Sequence, residues 1–133
     1  KLNRNIIFCS RFQGGYIKIL DGSIYLPTYD RFFIGGQSSL RGWSNSDELN
    51  SNGGLYKLLV NFEARTKVYK KLGINYFYDF GQINQATGTK IYKPWNIGIG
   101  LTYASNLGPV RFDIASPYGN GSLTFHLSLL YMF

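Results

Sequence analysis

Apolar and polar residues alternate with a period of two along much of the chain, most clearly near its carboxyl end. In SLTFHLSLLYMF the apolar positions are Leu123, Phe125, Leu127, Leu129, Tyr131 and Phe133, and the polar or small positions between them include Thr124, His126 and Ser128. Because successive side chains of a strand point to opposite faces, this period predicts β-strands with one apolar face. No helical periodicity interrupts the pattern, so the predicted fold class is all-β.

The same alternation predicts six strands, at about residues 4–19, 54–66, 72–82, 95–105, 109–116 and 122–133. Their connections alternate between long and short, and the longest covers about residues 20–53. Neighbouring strands are therefore predicted to pair as antiparallel hairpins in a meander. Long loops on one rim and short turns on the other are typical of transmembrane barrels of the bacterial outer membrane.

Alternation alone does not decide whether the apolar face meets lipid or the core of a soluble sandwich. Three features favour lipid. The predicted strands are about 10 to 12 residues long, which matches a tilted bilayer crossing. Aromatic residues such as Tyr56, Trp95 and Tyr103 fall near strand ends, and the opposite face carries glycines with charged residues of both signs. These features predict a transmembrane β-barrel.

Six strands do not close a transmembrane barrel, since such barrels begin at eight strands and unpaired backbone groups in lipid are costly. Residues 1–133 are therefore expected to form the carboxy-terminal part of a larger barrel, or one of several copies that assemble one. The apolar centre of KLNRNIIFCS is too short for a secretory signal, which favours the first alternative. Periplasmic domains and earlier strands are then expected outside this sequence.

The composition of the chain excludes only some of the possible binding partners. The net charge of +7 suits nucleic acid, an anionic membrane surface or an acidic glycolipid. A soluble basic β-sandwich that binds glycans or nucleic acid would place its stacking aromatics beside lysines and arginines. Most strand aromatics here share the uncharged face instead. Lys67, Lys70 and Lys71 fall on a predicted turn, where they are expected to be solvated or to contact anionic headgroups.

No residue pattern indicates catalysis. His126 is the only histidine, so a metal site with clustered ligands is not expected, and the single Cys9 excludes an internal disulfide. Ser38 and Ser39 have no plausible base and orienting acid nearby in the sequence. We therefore predict that this segment is not an enzyme and needs no cofactor or metal.

The stretch RFFIGGQSSLRGW, residues 31–43, carries the candidate chemistry. Gly35 and Gly36 predict a sharp bend, since glycine adopts positive φ freely. Arg41 follows this bend and requires a partner if it is buried. By strand parity, Glu63 and Asp79 lie on the face opposite the apolar one.

Four stretches in order make the chain similar to the BamA and TamA type of outer-membrane assembly factors, well over residues 31–133 and loosely before. They are RFFIGGQSSLRGW with the triplet Arg41, Gly42 and Trp43, NFEAR with Glu63, FYDFGQ with Asp79 and Gly81, and IGIGLTYASNLGPVRFDIASP. The chain also stops on an aromatic residue, Phe133, as strands of outer-membrane barrels do. The resemblance implies a sixteen-stranded barrel that follows periplasmic domains.

The resemblance also implies roles for particular residues. The long loop would fold into the lumen, and its arginine would pack against acidic and aromatic residues of the inner wall. Glu63 and Asp79 would then be the partners of Arg41, and the loop motif would consist of Gly35, Gly36, Arg41, Gly42 and Trp43. The last strand, about residues 122–133, would pair weakly with the first and open a seam for client strands. Its side chains would be Leu123, Phe125, Leu127, Leu129, Tyr131 and Phe133.

The implied function is the folding and insertion of client β-barrel proteins in the outer membrane of a Gram-negative bacterium, with an organelle outer membrane less favoured. The implied partners are membrane lipids and lipopolysaccharide, client proteins, accessory lipoproteins or periplasmic subunits, and the remaining barrel strands, but not nucleic acid. Within the same superfamily the barrel could instead secrete a partner protein or carry a patatin-like domain. A passive pore is disfavoured because the Arg41 loop would plug it.

Overall fold

The computed structural model describes residues 6–20, 26–44, 52–86, 89–119 and 121–129. Within these ranges the strands are β1 (Ile6–Tyr16), β2 (Tyr56–Tyr69), β3 (Leu72–Asn84), β4 (Ile91–Tyr92), β5 (Trp95–Ser105), β6 (Gly108–Pro117) and β7 (Thr124–Ser128). One short turn of 3-10 helix, Thr28–Asp30, lies in the connection between β1 and β2. The described ranges contain no helix long and apolar enough to cross a membrane.

All seven strands belong to one antiparallel sheet with the order β1-β2-β3-β5-β6-β7, and the short β4 pairs with β3. Apart from β4, each strand pairs with its neighbour along the chain, so the predicted all-β antiparallel meander is confirmed. Strands β1 and β7 form the two edges of the sheet in the part of the chain that the structure describes.

Several predicted strand bounds were wrong. Strand β1 ends at Tyr16 instead of reaching residue 19, whereas β2 and β3 continue to Tyr69 and Asn84. These extensions follow from pairing, because the β2–β3 hairpin continues up to its two turn residues, Lys70 and Lys71. Strand β4, with two residues, lies in a predicted loop, since so short a strand has no detectable period.

Among the described residues of the expected final strand 122–133, β7 covers Thr124–Ser128. Leu123 and Leu129 are described but lie outside its ladder, which joins β6 from Ala115↔Thr124 to Arg111↔Ser128. Tyr131 and Phe133 lie outside the described residues.

A soluble sandwich buries its apolar side chains and exposes its polar ones, and in this sheet the arrangement is reversed. Large apolar side chains are exposed on one face, where Phe8 is 81% and Phe12 is 68% accessible. Buried side chains on the opposite face include charged ones, among them Glu63 and Arg111. Since exposed apolar surface costs about 25 cal/mol per Å² in water, the first face requires an apolar environment. We call it the lipid face and the opposite one the inner wall.

Residues 32–44 cross the inner wall and cover part of it. A small apolar core forms where Ile34 and Leu40 of this segment pack against Leu59 of β2 and Ile83 of β3. Gly35 and Gly36 have φ values of 117° and 79°, and the Gly36 amide donates to the Trp43 carbonyl over 2.7 Å. The glycine pair therefore closes the segment into a compact loop, which we call the inner loop.

Candidate functional site

Arg41 lies at the centre of the inner loop and is fully buried. Its Nε and Nη2 atoms donate to the two carboxylate oxygens of Asp79 over 2.9 and 2.7 Å. The Arg41 backbone amide also donates to Asp79, over 3.3 Å. Two parallel bonds between a guanidinium and a carboxylate fix direction as well as distance, so Asp79 sets the orientation of the Arg41 side chain.

Glu63 joins Arg41 to two further arginines. It accepts from Arg41 Nη1 over 2.8 Å, from Arg111 Nη1 and Nη2 over 2.7 and 2.9 Å, and from Arg65 Nε over 2.6 Å. Arg111 Nε also lies 2.7 Å from both carboxylate oxygens of Asp113. We call this network of Arg41, Arg65, Arg111, Glu63, Asp79 and Asp113 the arginine clasp. Its three cations and three anions balance, as buried charges require.

An aromatic ring completes the surroundings of Arg41. The guanidinium carbon lies 3.5 Å from the centre of the Phe77 ring, close enough for a cation–π interaction. Gly98 of β5 leaves the space for this ring, because a Cβ there would collide with Phe77 and with the Ile114 carbonyl. The positions of Arg41 and Phe77 therefore depend on the absence of a side chain on the neighbouring strand.

Two asparagines bind the oxygens of Asp79 that also bind Arg41. Asn61 donates to Oδ1 over 2.7 Å, and Asn96 donates to Oδ2 over 3.0 Å. The Asn61 side-chain amide also donates to the Ser39 carbonyl over 2.8 Å. Arg11 of β1 donates to Asn61 Oδ1 through Nε over 3.0 Å and through Nη2 over 2.9 Å. The inner loop is thus linked to strands β1, β2, β3 and β5.

Strand β7 contacts the inner loop from the other side. His126 Nε2 donates to the Arg41 carbonyl over 2.6 Å, and Thr124 Oγ1 donates to the Gly42 carbonyl over 3.2 Å. Trp43 Nε1 donates to the Trp95 carbonyl of β5 over 3.3 Å. The loop motif therefore lies between the centre of the sheet and its β7 edge.

A comparison with known protein families shows to which family the chain belongs. The Omp85 superfamily domain matches residues 1–128. The chain belongs to the Omp85 superfamily. No curated protein matches the chain. The strands therefore form a segment of an outer-membrane β-barrel, in a superfamily of proteins for insertion and secretion at that membrane.

Most motif residues predicted from the sequence of this Omp85 segment lie together. Gly35, Gly36, Arg41, Gly42 and Trp43 lie in the inner loop, and the carboxylates of Glu63 and Asp79 contact Arg41. Gly42 fits tightly, since a Cβ there would lie 2.6 Å from the Cβ of Asn96. The absence of a side chain at residue 42 therefore allows the loop to approach β5 closely.

The predicted edge residues lie apart from the arginine clasp. Leu123, Phe125, Leu127 and Leu129 are exposed, and none of them is in the inner-loop core. The sequence interpretation missed the contacts of Thr124 and His126 with the loop carbonyls. It also left the hydroxyl of Ser39 without a structural role, although this group accepts from the Gly35 amide over 3.2 Å.

Three carboxylates on the inner wall of this Omp85 segment bind arginines. Among the described residues, no three or more His, Cys, Asp or Glu side chains are grouped so that they could hold a metal ion. In the arginine clasp, Glu63, Asp79 and Asp113 each accept hydrogen bonds from a guanidinium group. These interactions orient a loop against the barrel wall.

Proposed function

We propose that this segment belongs to an assembly factor that folds and inserts client β-barrel proteins into the outer membrane, through a seam at β7. The observation that carries the proposal is the arrangement of β7. Among the described strands it lies at an edge of the sheet, its described apolar side chains are exposed, and its inner side is hydrogen-bonded to the Arg41 loop. An edge strand has backbone donors and acceptors that another strand can bind.

The pairing of β7 supports strand exchange at this edge. Among the described strands β7 pairs only with β6, whereas an inner strand such as β5 pairs on both sides. Because fewer backbone hydrogen bonds hold a strand that is paired on one side, separation of β7 requires less free energy than separation of an inner strand. A client strand could therefore replace its neighbours more readily at β7 than inside the sheet.

In this proposal the inner loop keeps the edge in place while its backbone is available. Thr124 and His126 bind the loop carbonyls with side chains, so these contacts use none of the backbone groups of β7. The arginine clasp in turn fixes the loop to β2, β3 and β6. The seam would thus be held from the lumen without being closed.

The proposal assigns no catalytic step and no cofactor to this segment. Its partners would be client outer-membrane proteins, membrane lipids and lipopolysaccharide, the remaining strands of a barrel of about sixteen, and accessory lipoproteins or periplasmic subunits. Nucleic acid is not among them. The proposed location is the outer membrane of a Gram-negative bacterium. Secretion through the lumen is less favoured, because the inner loop covers part of the wall that would line such a path.

Site-specific disulfide formation with a client would test the seam. We would replace Cys9 with Ala, introduce Leu127→Cys or Leu101→Cys, and present a stalled client with one cysteine in its last strand. Leu127 on β7 and Leu101 on β5 both belong to the lipid face, with exposures of 71% and 50%. Only Leu127 lies on an edge strand.

A disulfide to the client at residue 127 and none at residue 101 is the expected result. Equal yields at the two positions would mean that clients touch the lipid face without pairing at the edge. Absence of a disulfide at both positions, with the client stalled and the variants correctly inserted, would also reject the seam.

A further inference from the structure

A second concentration of charge lies on the inner wall, at the end where β2 and β3 meet in their two-residue turn. Here the sheet surrounds a recess of about 630 Å³. Its lining includes Arg65, Lys67, Lys70 and Lys71 together with the apolar Ile7 and Leu72. We call it the basic recess.

Most strand residues that line the basic recess belong to the inner wall, whereas Thr66 and Leu72 have the parity of the lipid face. Arg65 and Lys67 alternate along β2 with the same parity as Glu63, whose side chain is in the arginine clasp. Asn75 and Thr102 lie on the inner side of β3 and β5, and the Asn75 amide donates to the Thr102 hydroxyl over 2.5 Å. Both are buried, so the recess has a polar floor.

Apart from Arg65, which pairs with Glu63, the cations at this recess are not matched by described anions as those of the arginine clasp are. No Asp or Glu is among the described residues that line it. The lysines form no ion pair with a described residue. Lys71 Nζ donates to Asn106 Oδ1 over 3.5 Å, and Lys70 Nζ lies 5.3 Å from the centre of the Tyr69 ring. Like charges that share a concave surface create a potential that attracts anions.

We propose that the basic recess binds an acidic polypeptide segment that reaches the inner wall from the side of the β2–β3 turn. Ile7, which is paired with Arg65 and shares its inner-wall side, offers apolar contact beside the lysines, so the fitting ligand combines carboxylates with apolar side chains. Arg65, Lys67 and the polar floor lie on the inner wall, which disfavours a bilayer headgroup. This interaction does not depend on client insertion at β7.

The placement of the cations favours several spaced carboxylates over a single phosphate group. Arginine binds phosphate best through a two-pronged contact, whereas lysine acts as a point charge. The guanidinium at the recess, that of Arg65, already donates through Nε to Glu63 over 2.6 Å. The remaining three cations are lysines on a strand end and a turn, and such separated charges suit acidic side chains spaced along a peptide.

Fluorescence anisotropy on the complete protein in nanodiscs of a neutral lipid would test the proposal. The probe is a short labelled peptide of alternating glutamate and leucine, and the control peptide has glutamine in place of glutamate. The test variant carries Lys67→Glu and Lys71→Glu. The matched control carries Lys90→Glu and Lys93→Glu, which change charge equally outside the recess.

We expect the acidic peptide to bind more tightly than the glutamine peptide, with an affinity that falls as salt rises. The Lys67 and Lys71 reversals should weaken binding about tenfold or more, and the Lys90 and Lys93 reversals should have little effect. An equal loss in both variants would overturn the proposal in favour of diffuse charge. Displacement of the peptide by inorganic phosphate or by phosphatidylglycerol vesicles, at matched charge, would overturn it in favour of a phosphate ligand.

Discussion

The arginine clasp and the basic recess lie on the same inner wall and share Arg65. The other cations of the clasp are paired with carboxylates, whereas the lysines of the recess are not paired with any described carboxylate. In the clasp, Arg41 and Arg111 are buried and each contacts at least one carboxylate. At the recess, Lys67, Lys70 and Lys71 are exposed and contact no described carboxylate. The difference reflects solvent exposure, because a cation removed from water requires an anion, whereas a solvated cation does not.

This contrast separates two roles for charge in one barrel wall. Charges of the clasp hold a loop, so their loss is expected to appear as lost stability. The recess lysines are exposed, so we expect them to contribute little to the stability of the fold. Variants of the clasp should therefore lower the free energy of unfolding, whereas variants of the recess lysines should lower peptide binding.

The largest effect is expected for Arg41→Ala. Removing this cation leaves Asp79 and Glu63 buried with fewer partners, which typically lowers the free energy of unfolding by about 3–5 kcal/mol. Urea unfolding in micelles measures the change. The folded fraction is monitored by gel electrophoresis, since a folded barrel changes its mobility on heating. Arg31→Ala is the control, since Arg31 lies in the same connection but donates to the Leu26 and Asn52 carbonyls. Equal losses for both variants would contradict a special role of the clasp.

A smaller loss is expected for Gly98→Ala, which adds a Cβ where Phe77 and the Ile114 carbonyl lie. Overpacking of this kind lowers the free energy of unfolding by about 1–3 kcal/mol. The same urea titration measures it, with Gly14→Ala as the control because a Cβ there would only reach the Lys57 carbonyl at 3.9 Å. Unchanged stability in Gly98→Ala would show that the Phe77 ring is not confined beside Arg41.

Thr124→Val removes the hydroxyl that donates to the Gly42 carbonyl while keeping a similar shape. A single hydrogen bond contributes about 0.5–1.5 kcal/mol, so hydrogen exchange of the β7 amides should become faster by the corresponding factor. Ser128→Ala, at the same parity of the same strand, is the control. If both variants exchange at the original rate, Thr124 does not link the inner loop to the β7 edge.

The smallest effect on stability is expected for Lys67→Gln combined with Lys71→Gln. Neither lysine forms an ion pair with a described residue, so the free energy of unfolding should change by less than about 0.5 kcal/mol for each substitution. Urea unfolding under the conditions used for Arg41→Ala gives the comparison. A loss as large as that of Arg41→Ala would mean that the recess lysines support the fold, and would remove the contrast between the two regions.

Sequence reasoning was most successful where a local period determines direction. Alternation along β2 and β3 put Glu63 and Asp79 on the inner wall, where both carboxylates contact Arg41. The expectation that Arg41 would reach them came from the family resemblance, because no periodicity describes the path of a long loop. The short β4 strand, Ile91–Tyr92, left no pattern to detect.

Contacts between distant residues were the part that sequence could not supply. Thr124 and His126 bind backbone carbonyls that lie 82 and 85 residues earlier in the chain. Every residue has a backbone carbonyl, so the residue type in the sequence does not identify which carbonyl is the acceptor. The fit of Phe77 beside Gly98 likewise depends on the β3–β5 register, in which these two residues are paired.

The meander topology has a consequence for the order of folding. Strands β2 and β3, like β5 and β6, are joined by two-residue turns, so these hairpins can form from local contacts with little loss of chain entropy. The carboxylates that bind Arg41 belong to different hairpins, with Glu63 and Asp79 in one and Asp113 in the other. The docking surface for the inner loop is therefore complete only after both hairpins have joined. Loop insertion is therefore expected to be a late step in folding, after the inner wall is complete.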